Sequence, residues 1–119
     1  MSEYEHAFTV TAHDSPVGPV LECRGELDFD EAPVLNRAVH RALAARPVPP
    51  MLLVDLGAVT FMDSAGLNAL LIARIEAARQ GTVVRLARPS HAVARMLEIT
   101  GADQVFPIEQ DVPPAFLAD

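Results

Sequence analysis

The spacing of apolar residues changes period several times along the chain, and each change marks an element. Phe8-Thr9-Val10-Thr11 alternates and predicts a short strand. The turn-forming run Asp14-Ser15-Pro16-Val17-Gly18-Pro19 then reverses the chain. Val20, Leu21, Cys23 and Leu27 are the apolar positions of a second strand, Val20 to Leu27, paired antiparallel with the first. From Asp28-Phe29-Asp30-Glu31 onward the period lengthens. Leu35, Val39, Ala42 and Leu43 recur at helical spacing up to Arg46. Either aspartate can cap this helix. Asp28 with Glu31 has capping-box spacing, whereas a cap at Asp30 places Pro33 in the first turn, where backbone donors lack intrahelical partners anyway.

Pro47-Val48-Pro49-Pro50 ends the helix, and Met51 to Leu56 is apolar except for Asp55, as in a strand covered on both faces. A short loop is expected next, then a second helix from about Ser64 to Gln80, stopped by Gly81. Leu67, Leu71, Ile75 and Ala78 form its expected inward stripe, which leaves Ile72 on the polar side with Asn68, Glu76 and Arg79. Thr82 to Ala87 reads as a strand, and Ser90 to about Thr100 as a third helix with Val93, Met96 and Leu97 inward and Gly101 as its stop. Val105 to Ile108 is a last short strand, and Pro113-Pro114 leaves a brief turn or helix, Ala115 to Ala118. The order β-β-α-β-α-β-α-β predicts an α/β fold: a mixed, mainly parallel sheet entered by an antiparallel hairpin, with helices packed on it. A single domain is expected over residues 1–119, with its core at about 8–112 and a short tail at 113–119.

Composition narrows the classes. The 119 residues are 50% hydrophobic, so disorder is excluded: such a chain buries enough surface to offset its ordering entropy. One cysteine, Cys23, rules out an internal disulfide framework and any multi-cysteine metal site; it is expected as a small buried hydrophobe. His6, His13, His40 and His91 have no metal-ligand spacing, so neither metal nor cofactor is expected. Met1 to His13 lacks the basic-then-apolar run of a secretory signal, and no stretch approaches the roughly 18 apolar residues of a spanning helix. The chain therefore reads as a soluble cytoplasmic domain. Sixteen acids against nine bases, all arginine, give a net charge of −7, which supplies no footprint for nucleic acid or an anionic membrane. Arg85 and Arg88 near a strand end are expected as solvated charges rather than an anion site.

The stretch richest in chemistry is Val59-Thr60-Phe61-Met62-Asp63-Ser64-Ala65-Gly66-Leu67, where a strand gives way to a helix beginning at Asp63 or Ser64. Carboxyl ends of strands are favoured places for ligand and switch sites in α/β sheets. Three readings of Ser64 follow. It can be an N-cap, stabilising the helix by about 1 kcal/mol. It can be a phosphoacceptor, because unpaired N–H groups at a helix N-terminus receive the added charge. It can be a nucleophile, which requires an oriented general base. The local pattern is not G-x-S-x-G and no histidine stands in a recognisable motif, which counts against a small hydrolase or phosphotransferase using Ser64 or Asp63. The small residues Ala65 and Gly66 leave the hydroxyl accessible to another protein.

Gly25-Glu26-Leu27-Asp28, then Val54-Asp55-Leu56, then Phe61-Met62-Asp63-Ser64-Ala65-Gly66-Leu67 resemble the STAS family, and within it the bacterial anti-sigma factor antagonists. The resemblance extends over about residues 8 to 112. It implies that Ser64 is phosphorylated by an anti-sigma factor that is itself an ATP-dependent serine kinase, and that Asp28 lies nearby and helps bind that kinase. It further implies a partner switch: the unphosphorylated chain binds the anti-sigma factor and frees a sigma factor, phosphorylation weakens the complex, and a metal-dependent serine phosphatase resets it. Asp28 keeps its alternative role as a helix cap, and Asp63 can cap the second helix while Ser64 stays free. Ile72, a lone apolar residue on a polar face, is a candidate partner contact beside Asn68. Three departures stand out against the family pattern. Ala65 replaces a second hydroxyl residue, Asn68 replaces a commonly small one, and Pro113-Pro114 shortens the last helix. A STAS module that binds without phosphorylation, as in lipid-transport or transporter-associated relatives, is the competing expectation.

Overall fold

A computed structural model describes residues 8–117. Five strands form one sheet in the order β1-β2-β3-β4-β5: β1 Thr9–His13, β2 Val20–Leu27, β3 Met51–Met62, β4 Val83–Ala87 and β5 Ile108–Glu109. β1 pairs antiparallel with β2, and every later neighbour is parallel, as the alternation of strand and helix requires. Gly18 makes the hairpin return possible. Its φ is +141° and a Cβ there would lie 1.8 Å from the Met51 carbonyl oxygen, so no other residue fits.

Three helices, α1 Ala32–Leu43, α2 Ser64–Arg79 and α3 His91–Thr100, share one core with the alternate strand positions Leu21, Cys23, Leu52, Val54, Val84 and Leu86. The intervening positions Val20, Leu53 and Ala87 belong to a smaller cluster on the other face, closed by Phe116 from a 3₁₀ turn at Pro114–Phe116. β3 is buried on both faces over Leu52–Leu56, as its unbroken apolar run requires.

Several boundaries differ from those expected. β1 starts one residue late and runs on to His13. α1 begins at Ala32 rather than beside an aspartate cap. Glu31 holds the N-cap position with no side-chain bond, and Pro33 occupies the first turn. Asp28 accepts the Glu31 N–H through Oδ1 at 3.0 Å, so it closes the turn before the helix; Glu31 returns no bond, and Asp30 caps nothing. The same helix stops at Leu43, short of Arg46. No loop separates β3 from α2, because the strand continues through Met62. It does so with two register shifts against β2, after Glu22 and after Gly25, and stays paired with β2 through Val59, Phe61 and Met62.

The inward face of α2 is Gly66, Leu67, Leu70, Ala73 and Ala77, while Ile75 is 49% exposed and Ala78 faces out. The helix is apolar on most sides, so spacing alone admits both stripes, and the small side chains win because they let it lie close to the sheet and to α1. The last strand pairs at Ile108–Glu109, not Val105–Ile108. Ala102–Gln104 instead forms a 3₁₀ turn that buries Ala102, and Phe106 follows it into the core. The chain ends its described part in the 3₁₀ turn at Pro114–Phe116, ahead of the expected Ala115–Ala118; Ala118 lies outside the described residues, as does His6.

Arg85 and Arg88 are not simply solvated. Arg85 pairs with Glu109, and Arg88 Nε and Nη2 donate to Asp55 Oδ1 and Oδ2 at 3.0 and 3.2 Å. Asp55 also accepts the Gly57 N–H at 3.0 Å, which satisfies a carboxylate that is only 4% exposed. The bonds that Arg88 donates to Asp55, and the charge of Asp55, hold the Arg88 guanidinium more firmly protonated. Gly57 is small because Arg88 lies over it: a Cβ there would stand 2.7 Å from Nη2.

Candidate functional site

The end of β3, the first turn of α2 and the connection from β2 to α1 meet at one corner of the sheet. Asp63 organises it. Its backbone is extended, and its Oδ1 accepts the Gly66 N–H at 2.9 Å, which is an N-cap on α2. Its second oxygen, Oδ2, accepts the Phe29 N–H at 3.2 Å across 34 residues of sequence. One carboxylate therefore ties the β2–α1 connection to the start of α2.

Gly66 presses on the same joint from beneath. A Cβ at this position would stand 2.2 Å from the Leu27 carbonyl oxygen and 2.9 Å from Leu27 Cγ. Gly66 is itself buried and packs this joint.

Ser64 is the first residue of α2 and is exposed, and among the described residues its hydroxyl makes no hydrogen bond. Asp63 has taken the capping role, so the N-cap reading of Ser64 falls away. Asp28 is half-buried on the turn whose next residue, Phe29, bonds to Asp63. Ala65, Asn68 and Ile72 run down the first two turns of α2. They line a groove of about 440 Å³ whose other wall is Phe29, Pro33 and Asn36 from the α1 side. Ala65, Asn68 and Ile72 thus share one groove, and Asp63 ties its Phe29 wall to the start of α2 at Ser64.

Two exposed aromatics escaped the sequence reading. Phe29 is 76% exposed and Phe61 is 47% exposed, one at each strand end beside Asp63. The signal was present for Phe29: an aromatic between two aspartates, out of phase with the strand before it and the helix after it. Among the described residues no three His, Cys, Asp or Glu side chains gather as a metal-ligand set, and no helix is long and apolar enough to cross a membrane.

The family model of the STAS domain matches residues 8–115. The chain belongs to the STAS domain family. The matched span includes all five strands and the whole corner around Ser64. Among curated relatives, the anti-sigma-F factor antagonist RsfA of Mycobacterium tuberculosis is 31% identical over 110 residues, 92% of this chain and 84% of that protein. A solved anti-sigma factor antagonist from Mycobacterium paratuberculosis is 30% identical and superposes with a TM-score of 0.77 over 94% of this chain and 93% of that one. The anti-sigma factor antagonist SpoIIAA in its unphosphorylated form, 19% identical, shares the STAS fold with a TM-score of 0.65 over 91% of each chain.

Proposed function

We propose that this STAS domain is an anti-sigma factor antagonist that works by binding rather than catalysis, with Ser64 as its switch. The observation that carries the reading is an exposed serine at the first position of α2, with its hydroxyl unengaged because the neighbouring aspartate supplies the cap. The names of the relatives that match it over most of its length support the class of partner. The unmodified surface of Asp28, Ala65, Asn68 and Ile72 binds a cytoplasmic anti-sigma factor that is also a serine kinase, which releases a sigma factor. Phosphate on Ser64 adds about −1.5 to −2 charges next to Asp63 and on the same surface as Asp28. Like charges brought together in an interface being desolvated repel, and each 1.4 kcal/mol lost is about tenfold in affinity. A metal-dependent serine phosphatase restores the binding form.

The test is incubation with ATP and kinase-type anti-sigma factors, with the phosphate mapped by mass spectrometry and affinities measured for substituted chains. Labelling is expected at Ser64 and is absent in Ser64→Ala, which keeps its affinity. Ser64→Asp is expected to bind roughly tenfold more weakly or worse. If no such kinase labels Ser64 and Ser64→Asp binds like the unsubstituted chain, the switch is wrong.

A further inference from the structure

The groove beside Ser64 does not stop at Ile72. It continues between α1 and α2 towards their C-terminal ends, where Arg37, His40 and Arg41 of α1 face Ile72 and Glu76 of α2, and Arg79 follows past the shared His40 and Glu76. Its character changes along the way. Asp30 lines the N-terminal end, whereas the far end has Arg37, His40, Arg41, Arg46 and Arg79 against one acid, Glu76, in a chain of net charge −7.

None of Arg37, Arg41 or Arg79 enters a salt bridge among the described residues, although the chain has sixteen acids to offer. The helix dipole accounts for His40, Arg41 and Arg79, which sit in or next to a last turn. It does not account for Arg37, which lies in the middle of α1. Arg37 and Arg41 are also four residues apart, a like-charge spacing that destabilises a helix by itself. Ile72, 41% exposed in the middle of α2, supplies an apolar contact between these cations.

We infer that this groove is a second docking surface, and that its occupant is an acidic amphipathic helix of a partner protein. An apolar side chain of that helix rests on Ile72, and its carboxylates reach Arg37, Arg41 and Arg79. Two parallel helices with a partly apolar floor suit a third helix laid along them. Unpaired arginines favour planar carboxylate acceptors, which they bind through two parallel N–H bonds. The surface adjoins the one assigned to the anti-sigma factor and shares Ile72 with it, but it needs neither the kinase nor the phosphate.

The test is an amide NMR titration of the full chain with a synthetic helix about as long as α1, apolar at i, i+3, i+4 and i+7 and glutamate elsewhere. A peptide with lysine for every glutamate, a short DNA duplex and phosphatidylglycerol vesicles are run alongside. Saturable shifts are expected at Arg37, Arg41, Ile72 and Glu76 with the acidic peptide. Binding is expected to weaken roughly tenfold or more in the double variant Arg37→Glu/Arg41→Glu, and with added salt that screens exposed pairs. Both substituted side chains are exposed, so the variant spectra are expected to overlay outside the groove. If the charge reversal disturbs the fold, Arg37→Ala/Arg41→Ala gives the same comparison. The inference is overturned if the acidic peptide gives no saturable shift or shifts only other residues. It is equally overturned if the lysine peptide binds as well, or if DNA or vesicles bind through these arginines more tightly than the acidic peptide.

Discussion

Gly66 and Cys23 show how much a single position is constrained by what surrounds it. A glycine in a helix ordinarily costs about 1 kcal/mol relative to alanine, so Gly→Ala should stabilise. At Gly66 the sign reverses, because the new methyl would meet the Leu27 carbonyl oxygen at 2.2 Å, and backbone cannot yield as a flexible side-chain end can. Gly66→Ala is expected to lose about 2 kcal/mol, read as a lower urea midpoint at unchanged slope. At Cys23, burial first, then the charges of Asp55 and Glu22, push the thiol up from 9.0 to about 12. The unfolded chain gives up this proton near pH 9.0, and the native chain keeps it until about 12. Its contribution to stability is therefore intact below 9.0 and is lost as the pH rises from there towards 12. At about pH 8 a thiol reagent is expected to label Cys23 only as fast as the protein opens, a rate that labelling followed against urea concentration measures.

At the scale of elements, the corner depends on bonds that join separate pieces of chain. Asp63→Ala removes the cap of α2 and the tether to Phe29 together, and is expected to cost about 1–2 kcal/mol. Amide exchange separates this from a simple cap: Gly66 and Phe29 should lose protection in the same variant, although they are 37 positions apart in sequence. The aspartate–serine start of α2, the antiparallel entry and the parallel remainder were all legible in the residues, because caps, turns and periodicity are local signals. The continuous strand from Met51 to Met62 was not. Beyond Leu56 exposed and buried residues are mixed, and the strand stays paired through shifts of register against β2, a property of the pair rather than of either strand. The inward face of α2 was hidden for a related reason: where most positions are apolar, the neighbours choose the stripe. Asp28 and Glu31 had the spacing of a capping box, yet the chain uses Asp28 one turn earlier, since α1 cannot begin before the connection has satisfied Asp63.

For the molecule as a whole, the sheet has one thick side and one thin side. Three helices cover the first, and a few residues after β5 cover part of the second. Phe116, 6% exposed, closes the small cluster of Val20, Leu53 and Ala87, which includes a residue near the start of the longest strand. Phe116→Ala is expected to cost about 3 kcal/mol even though it stands in a terminal segment. Unfolding monitored by circular dichroism should remain a single transition, because β3 is shared by both clusters and couples them. Charge is distributed as unevenly as packing. Acids gather at the N-terminal ends of α1 and α2, whereas Arg41 and Arg79 stand in their last turns.

The direct passage from β3 into α2 has a consequence for any enzyme that modifies Ser64. The residue before Ser64 is clamped by two bonds, and the residue two places after it is wedged against a neighbouring strand. The serine is offered already coiled, on backbone that cannot be straightened without dismantling the corner. A kinase acting on it has to recognise a shape rather than read a short linear motif, and the folded domain itself becomes the unit of specificity.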